Sequence, residues 1–211
     1  YKSLELLGFL NLPSEFFKFV SSENVQYSVI NTSKSNNDFE ESERSSIFTN
    51  NNINKEKIFN ESNEYSQIAG KALAYFITNT NLFSGCCVSL VGVSFGAKVI
   101  LSAFSDIYKQ AKTHLIYDIV FIGSPIGINE IDSKYVLGSM GKIYNVFSHQ
   151  DWILKELTKV SKDLSPCIGN QKLMFNKKIT AKKIYNLNLS AEVNDHSDYL
   201  KRFNKISLFV R

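Results

Sequence analysis

Cysteine is scarce: the 211 residues hold three, and two of them, Cys86 and Cys87, are adjacent. Neighbours on a strand point to opposite faces, so no disulfide is expected between them. No spacing of histidine and cysteine suits a metal ion. Reduced, buried thiols in a cytosol-facing domain are expected, with no metal or other cofactor. Long apolar runs are also missing. None approaches the roughly 18 residues that span a bilayer, and no charged stretch followed by an apolar one opens the chain as a signal peptide would. Neither sign of charge dominates: 24 Lys and Arg against 20 Asp and Glu leave a formal +4. Scattered lysines of that kind give no reason to expect a nucleic-acid partner. Only three histidines are present, which narrows the search for a catalytic base. The chain starts at Tyr1 instead of Met, as a piece of a longer protein would.

What is present is enough for one globular domain over residues 1–211: 44% hydrophobic residues, including 16 Phe and 10 Tyr, can fill a sizeable core. Apolar residues at helical spacing predict one or two short helices in 1–20, and Val25–Ile30 alternates like a strand. From 31 to 63 the composition turns to Asn, Ser, Glu and Lys, with too little apolar surface to offset ordering, and a disordered insertion is expected there. Tyr65 to Thr80 reads as a helix with Ile68, Ala69, Ala72, Leu73, Phe76 and Ile77 on its buried side, its small residues letting it lie close to a sheet. A strand through Cys86–Val91 follows, then a helix from Phe95 to about Lys112. Strands are expected at Ile116–Ile122, Lys142–Phe147 and Ile184–Leu189, with a lysine-rich, partly helical segment at 152–182 and a last helix or edge strand at Phe203–Val210. The eight lysines between Lys155 and Lys183 read as a solvated surface more readily than as a face for anionic lipid head groups. Strands alternating with helices predict an α/β fold with a mostly parallel sheet. Five strands are fewer than a complete α/β-hydrolase needs, so its front strands are expected to be short or missing.

The chemistry centres on Gly92-Val93-Ser94-Phe95-Gly96, between a strand and a helix. That is the context of a nucleophile elbow, in which a serine sits on a strained turn at the end of a buried strand. Gly92 and Gly96 are expected to be glycine because a side chain would collide where the chain folds back. A serine needs a base, and the base an orienting acid. In α/β-hydrolases these follow in the order Ser, Asp or Glu, His, at the carboxyl ends of strands. His114 lies between a helix and a strand, at the wrong edge. His149 precedes any suitable acid-bearing strand end, whereas His196 follows the last strand. Among the acids, Asp118 begins a strand, Asp132 lies far beyond one, and Asp195 and Asp198 share the loop of His196. Asp151, just past a strand end, is the best placed. The expected triad is Ser94, Asp151 and His196. The backbone N–H of Phe95 would serve the oxyanion, and Phe95 and Trp152 could line the pocket. A second oxyanion donor should come from a loop after an earlier strand, but Gly8 is the only glycine before residue 65.

The stretch Ser89–Ile100 resembles the elbow of the eukaryotic transmembrane and coiled-coil domain-containing α/β-hydrolase family, a group long filed as a domain of unknown function. Ile122-Gly123-Ser124-Pro125, Tyr144 through Leu154 and His196-Ser197-Asp198-Tyr199 also look like the family and follow its order. The resemblance covers roughly residues 65–200. It implies an α/β-hydrolase fold, the same three site residues, and a membrane-spanning region outside this chain. The Asn-rich stretch departs from the pattern, as does Asp195, where glycine is expected. A carboxylate there should raise the basicity of His196. Two functions follow as expectations. One is a serine hydrolase acting on an ester or thioester, a lipid acyl ester foremost. The alternative is a catalytically inactive descendant serving protein interaction or trafficking at a membrane.

Overall fold

The computed structural model describes residues 52–175 and 182–210. The helices expected in 1–20 and the strand expected at Val25–Ile30 lie outside the described residues. So does the low-complexity stretch up to 51.

Helix α1 runs from Asn52 to Asn79. It therefore starts thirteen residues before Tyr65, and residues 52–63 of the expected disordered insertion are helical. Composition misled here because packing supplies what propensity lacks: Phe59, Ser66, Ala74 and Ile77 are buried. The buried stripe is rotated from the expected one, leaving Ile68 and Ala72 exposed. The reason is the partner. The helix lies against the next helix, with Gly70 close to Val99 and Ser102 and the Ser102 hydroxyl donating to the Gln67 carbonyl at 3.0 Å.

Strand β1, Val88–Val93, leads into α2, Phe95–Lys109. Along α2, Ala97, Ile100, Ala103, Phe104 and Ile107 fall on one face at 3.6-residue spacing and are all buried. Strand β2 (Ile116–Ile122), the short helix α3 (Ser133–Gly138) and strand β3 (Ile143–Phe147) come next. Helix α4 is Trp152–Val160, followed by a single 3-10 turn at Lys162–Leu164; strand β4 is Ile184–Asn188. Two helices close the described chain, α5 (Asp198–Lys201) and α6 (Phe203–Val210). The last segment is thus helical, which the sequence left open between helix and edge strand.

The four strands form one all-parallel sheet in the order β1-β2-β3-β4, the sheet of an α/β-hydrolase-like fold. Both faces of its centre are covered. Ile119, Phe121 and Ile143 pack with α1 and α2, while Val120, Ile122, Tyr144 and Val146 pack with Leu189, Val193, Tyr199 and Ile206. Double burial is why β2 and β3 read as nearly unbroken apolar runs. The register sets Val93, Ile122, Val146 and Leu187 side by side across the sheet. Past this row and the Phe147–Asn188 pair the strands end at one edge of the sheet, which gathers Ser94, Gly123, Ser148 and the loop after β4.

Candidate active site

Ser94 caps the N-terminal end of α2 with φ 54° and ψ −129°. A non-glycine residue at positive φ is strained by roughly 1–3 kcal/mol and persists only where its surroundings hold it. Here its N–H donates to the Ile122 carbonyl at 2.9 Å, and Ala97 N–H donates back to the Ser94 carbonyl at 3.0 Å. A Cβ at Gly92 would lie 2.7 Å from Ala97 Cα, Ala97 N and Gly96 C, so the strand and helix can meet only at a glycine. Gly96 is different. Its Cβ would meet nothing within 4 Å, and the expected clash there is absent. One of the two glycines makes the turn.

The candidate acid and base lie past the ends of β3 and β4. Asp151 follows β3, is fully buried, and caps α4: its Oδ1 accepts the Leu154 N–H at 3.2 Å. The helix N-terminus favours negative charge at that point. Its Oδ2 lies 2.7 Å from His196 Nδ1, with the imidazole 17% exposed. A carboxylate can only accept, so Nδ1 donates and Nε2 is left as the free basic nitrogen. The structure thus brings Asp151 and His196 together and puts Ser94 on the same sheet edge. Among the described residues Ser94 makes no hydrogen bond to His196.

The remaining acids are committed elsewhere. Asp118 Oδ1 accepts the Lys142 N–H and Asp132 caps α3 through the Lys134 N–H. The carboxylate of Asp195 accepts from donors other than His196. Its Oδ1 accepts from Ser197 N–H at 2.9 Å and Ser197 Oγ–H at 2.7 Å, and its Oδ2 accepts from Trp152 Nε1–H at 3.1 Å. Partial burial pushes the Asp195 carboxyl up, but these hydrogen bonds outweigh it and the net shift is downward. Trp152, expected to line a pocket, spends its polar edge on that carboxylate. Phe95 packs its ring 5.7 Å from Phe59 on α1, and its N–H, at the first position of α2, has no partner within the helix.

Several contributors escaped the sequence reading. Tyr199 packs edge-on to the His196 ring at 5.8 Å and fills the space beside Gly123, where φ is +52° and a Cβ would lie 2.4 Å from its ring. Burial pushes its phenol far above the ordinary range, so it stays neutral. Buried Asn145 donates to the carbonyls of Ile168 and Gln171. That fixes a turn whose Asn170 amide donates to the carbonyls of Ser148 and Asp151. A buried Asn within an apolar strand was the available signal. One turn beyond Ser94, Lys98 is 5% exposed, pairs with Glu130 at 2.9 Å and lies over the Phe59 ring. It borders a cavity of about 410 Å³ whose walls include Asn60, Asn63, Asn129 and Ser161.

β1 is the edge of the sheet among the described residues, so the loop expected to give a second oxyanion donor is not located there. No group of His, Cys, Asp and Glu among them could hold a metal ion. No described helix is long and apolar enough to cross a membrane.

A family described as "Protein of unknown function (DUF726)" matches residues 46–211. The chain belongs to that family. Its curated relatives include an uncharacterized membrane protein of Caenorhabditis elegans, 29% identical over 121 residues, 56% of this chain and 19% of the relative. A transmembrane and coiled-coil domain-containing protein of Oryza sativa is 28% identical over 67% of this chain and 21% of its own length. A protein of Saccharomyces cerevisiae named as a probable lipase is 27% identical over 65% of this chain and 12% of its own. The chain spans about a fifth or less of each of these three relatives. No solved structure matches.

Proposed function

We propose that this family member is a serine hydrolase that cleaves carboxylic esters or thioesters, with a lipid acyl ester as its substrate. The observation that carries the reading is the 2.7 Å Asp151–His196 hydrogen bond, at the same sheet edge as a serine held at positive φ. The relative named as a probable lipase supports the substrate class.

In this mechanism Ser94 Oγ attacks the acyl carbon while His196 Nε2 takes the hydroxyl proton. The Nδ1–H stays on the imidazolium and Asp151 stabilises its charge. The oxyanion accepts the Phe95 N–H. His196 then gives its proton to the departing alkoxide or thiolate, leaving an acyl-enzyme. Water attacks that intermediate with His196 again as base, and the acid and Ser94 are released. No cofactor enters. Membrane association, through parts of the protein outside this chain, accords with the names of the relatives, and we place the domain on the cytosolic side.

The second reading, an inactive interaction module of this fold at a membrane, is favoured by the absence of a second oxyanion donor among the described residues. Losing one such donor costs roughly 10²–10³ in rate. A fluorophosphonate probe separates the readings without knowledge of the substrate. Labelling of the protein that disappears in Ser94→Ala and in His196→Ala is expected. Folded protein that stays unlabelled would overturn the enzyme reading in favour of the module.

A further inference from the structure

We propose that Trp152 and Asp195 are a positioning pair for His196, acting beside the Asp151–His196 bond within the hydrolase reading above. The acid and the base sit on loops after different strands, β3 and β4, so their relative placement must be fixed across two loops. The Asp151–His196 bond alone would let the histidine-bearing loop pivot about it. The residues one step along from each partner supply a second attachment. Trp152 follows Asp151 at the first position of α4, Asp195 precedes His196, and the indole N–H donates to the carboxylate at 3.1 Å. The same carboxylate accepts Ser197 N–H and Oγ–H, so one group holds both chain neighbours of His196. Asp198 adds a further tie, its Oδ2 accepting the Asp195 N–H at 3.0 Å.

The rest of the interface follows the same pattern: Ser148 Oγ–H donates to the Val193 carbonyl at 2.6 Å and His149 N–H to Ser190 Oγ at 2.7 Å. Those two bonds join the roots of the loops, and the indole–carboxylate bond joins their tips. A rigid indole suits the task, because its direction is set by the helix that Asp151 itself caps. The aspartate that departs from the family pattern thus acquires a use: it receives the indole N–H.

The test uses Trp152→Phe, which keeps an aromatic ring and removes the N–H, and Asp195→Asn, whose NH₂ would face the indole if its oxygen keeps Ser197. With p-nitrophenyl butyrate as probe substrate, each variant is expected to lower kcat about tenfold, the weight of one lost hydrogen bond to a charged group. KM is expected to stay unchanged, and the double variant to be no worse than either single one, because both remove the same interaction. Added to His196→Ala, Trp152→Phe should change nothing further. The readout independent of turnover is the exchange rate of the His196 Nδ1 proton by NMR, expected to rise in both variants. Unchanged kcat and unchanged Nδ1 exchange in Trp152→Phe would overturn the pairing, even with strong fluorophosphonate labelling of the parent. If the parent itself is never labelled, the enzyme reading fails alone, and the Nδ1 exchange rate still decides whether the pair holds His196.

Discussion

Asp151→Asn is the perturbation whose outcome the geometry constrains most tightly. The side chain is fully buried and has two duties: Oδ1 accepts the Leu154 N–H at 3.2 Å, and Oδ2 accepts His196 Nδ1–H at 2.7 Å. Asparagine keeps the shape but has one acceptor and one donor group, so it cannot do both. If its oxygen keeps the cap, its NH₂ faces Nδ1, which must then be the acceptor. The ring proton moves to Nε2, and the base can no longer take a proton from Ser94. If the amide turns over, His196 keeps its tautomer, but an NH₂ group confronts the Leu154 N–H. That loses a cap worth about 1 kcal/mol and leaves a buried donor unsatisfied at about 1–3 kcal/mol. The active orientation is therefore disfavoured by about 2–4 kcal/mol, and at 1.36 kcal/mol per factor of ten the competent fraction falls by about 30- to 1000-fold. Loss of the imidazolium's countercharge carries the fall toward the roughly 10⁴ typical of this exchange in a serine triad. The assay is the second-order rate of fluorophosphonate labelling, measured beside a urea unfolding curve. Stability should change little, because the cap survives in the preferred orientation. A labelling rate within tenfold of the parent would refute the assignment of Asp151 as the group that sets the histidine tautomer.

Two further outcomes follow from contacts already described. Gly92→Ala would put a Cβ 2.7 Å from backbone atoms that cannot yield, so it should destabilise the domain by roughly 1–3 kcal/mol and abolish labelling. Gly96→Ala meets nothing within 4 Å and should gain roughly 0.5–1 kcal/mol from helix preference; thermal melting of the two variants side by side checks the contrast, and equal losses would contradict it. Asp195 and Asp198 both bind protons more weakly when folded. For Asp195 the opposing burial is outweighed by hydrogen bonds, and for Asp198 the Lys201 hydrogen bond leads. Their stabilisation is thus complete above the unfolded carboxylate pKa of about 3.9 and is lost as pH falls through the lower folded values. The urea midpoint should drop as pH falls below about 4, less steeply in Asp195→Asn, and an identical slope in that variant would contradict the assignment.

The placement of the candidate site residues could be read from residue order. Ser94, Asp151 and His196 were selectable because parallel strands send every carboxyl end to one edge, so a residue just past a strand is placed by topology alone. Gly92 was legible because the sharp turn between strand and helix leaves no space beside Ala97. Gly96 was misread because its position in a motif does not report what surrounds it. The start of α1 was missed for a similar reason: the asparagines and glutamates of 52–63 are poor in apolar surface, and the helix depends on burial of Phe59 within that stretch and of Ser66 just beyond it.

Periodicity and strand-end spacing in the sequence determined the α/β alternation, the parallel sheet and the edge at which polar residues gather, since those follow from local patterns of burial along one chain. Only the tertiary structure decided how that edge is wired. Asp151 turns one oxygen to a helix and the other to His196; Trp152 turns its N–H to Asp195; Tyr199 occupies the space that Gly123 leaves open. Apart from the cap, each of these joins residues brought close by different strands, and the direction of a side chain at such a meeting is set by what stands opposite it, which no stretch of sequence contains.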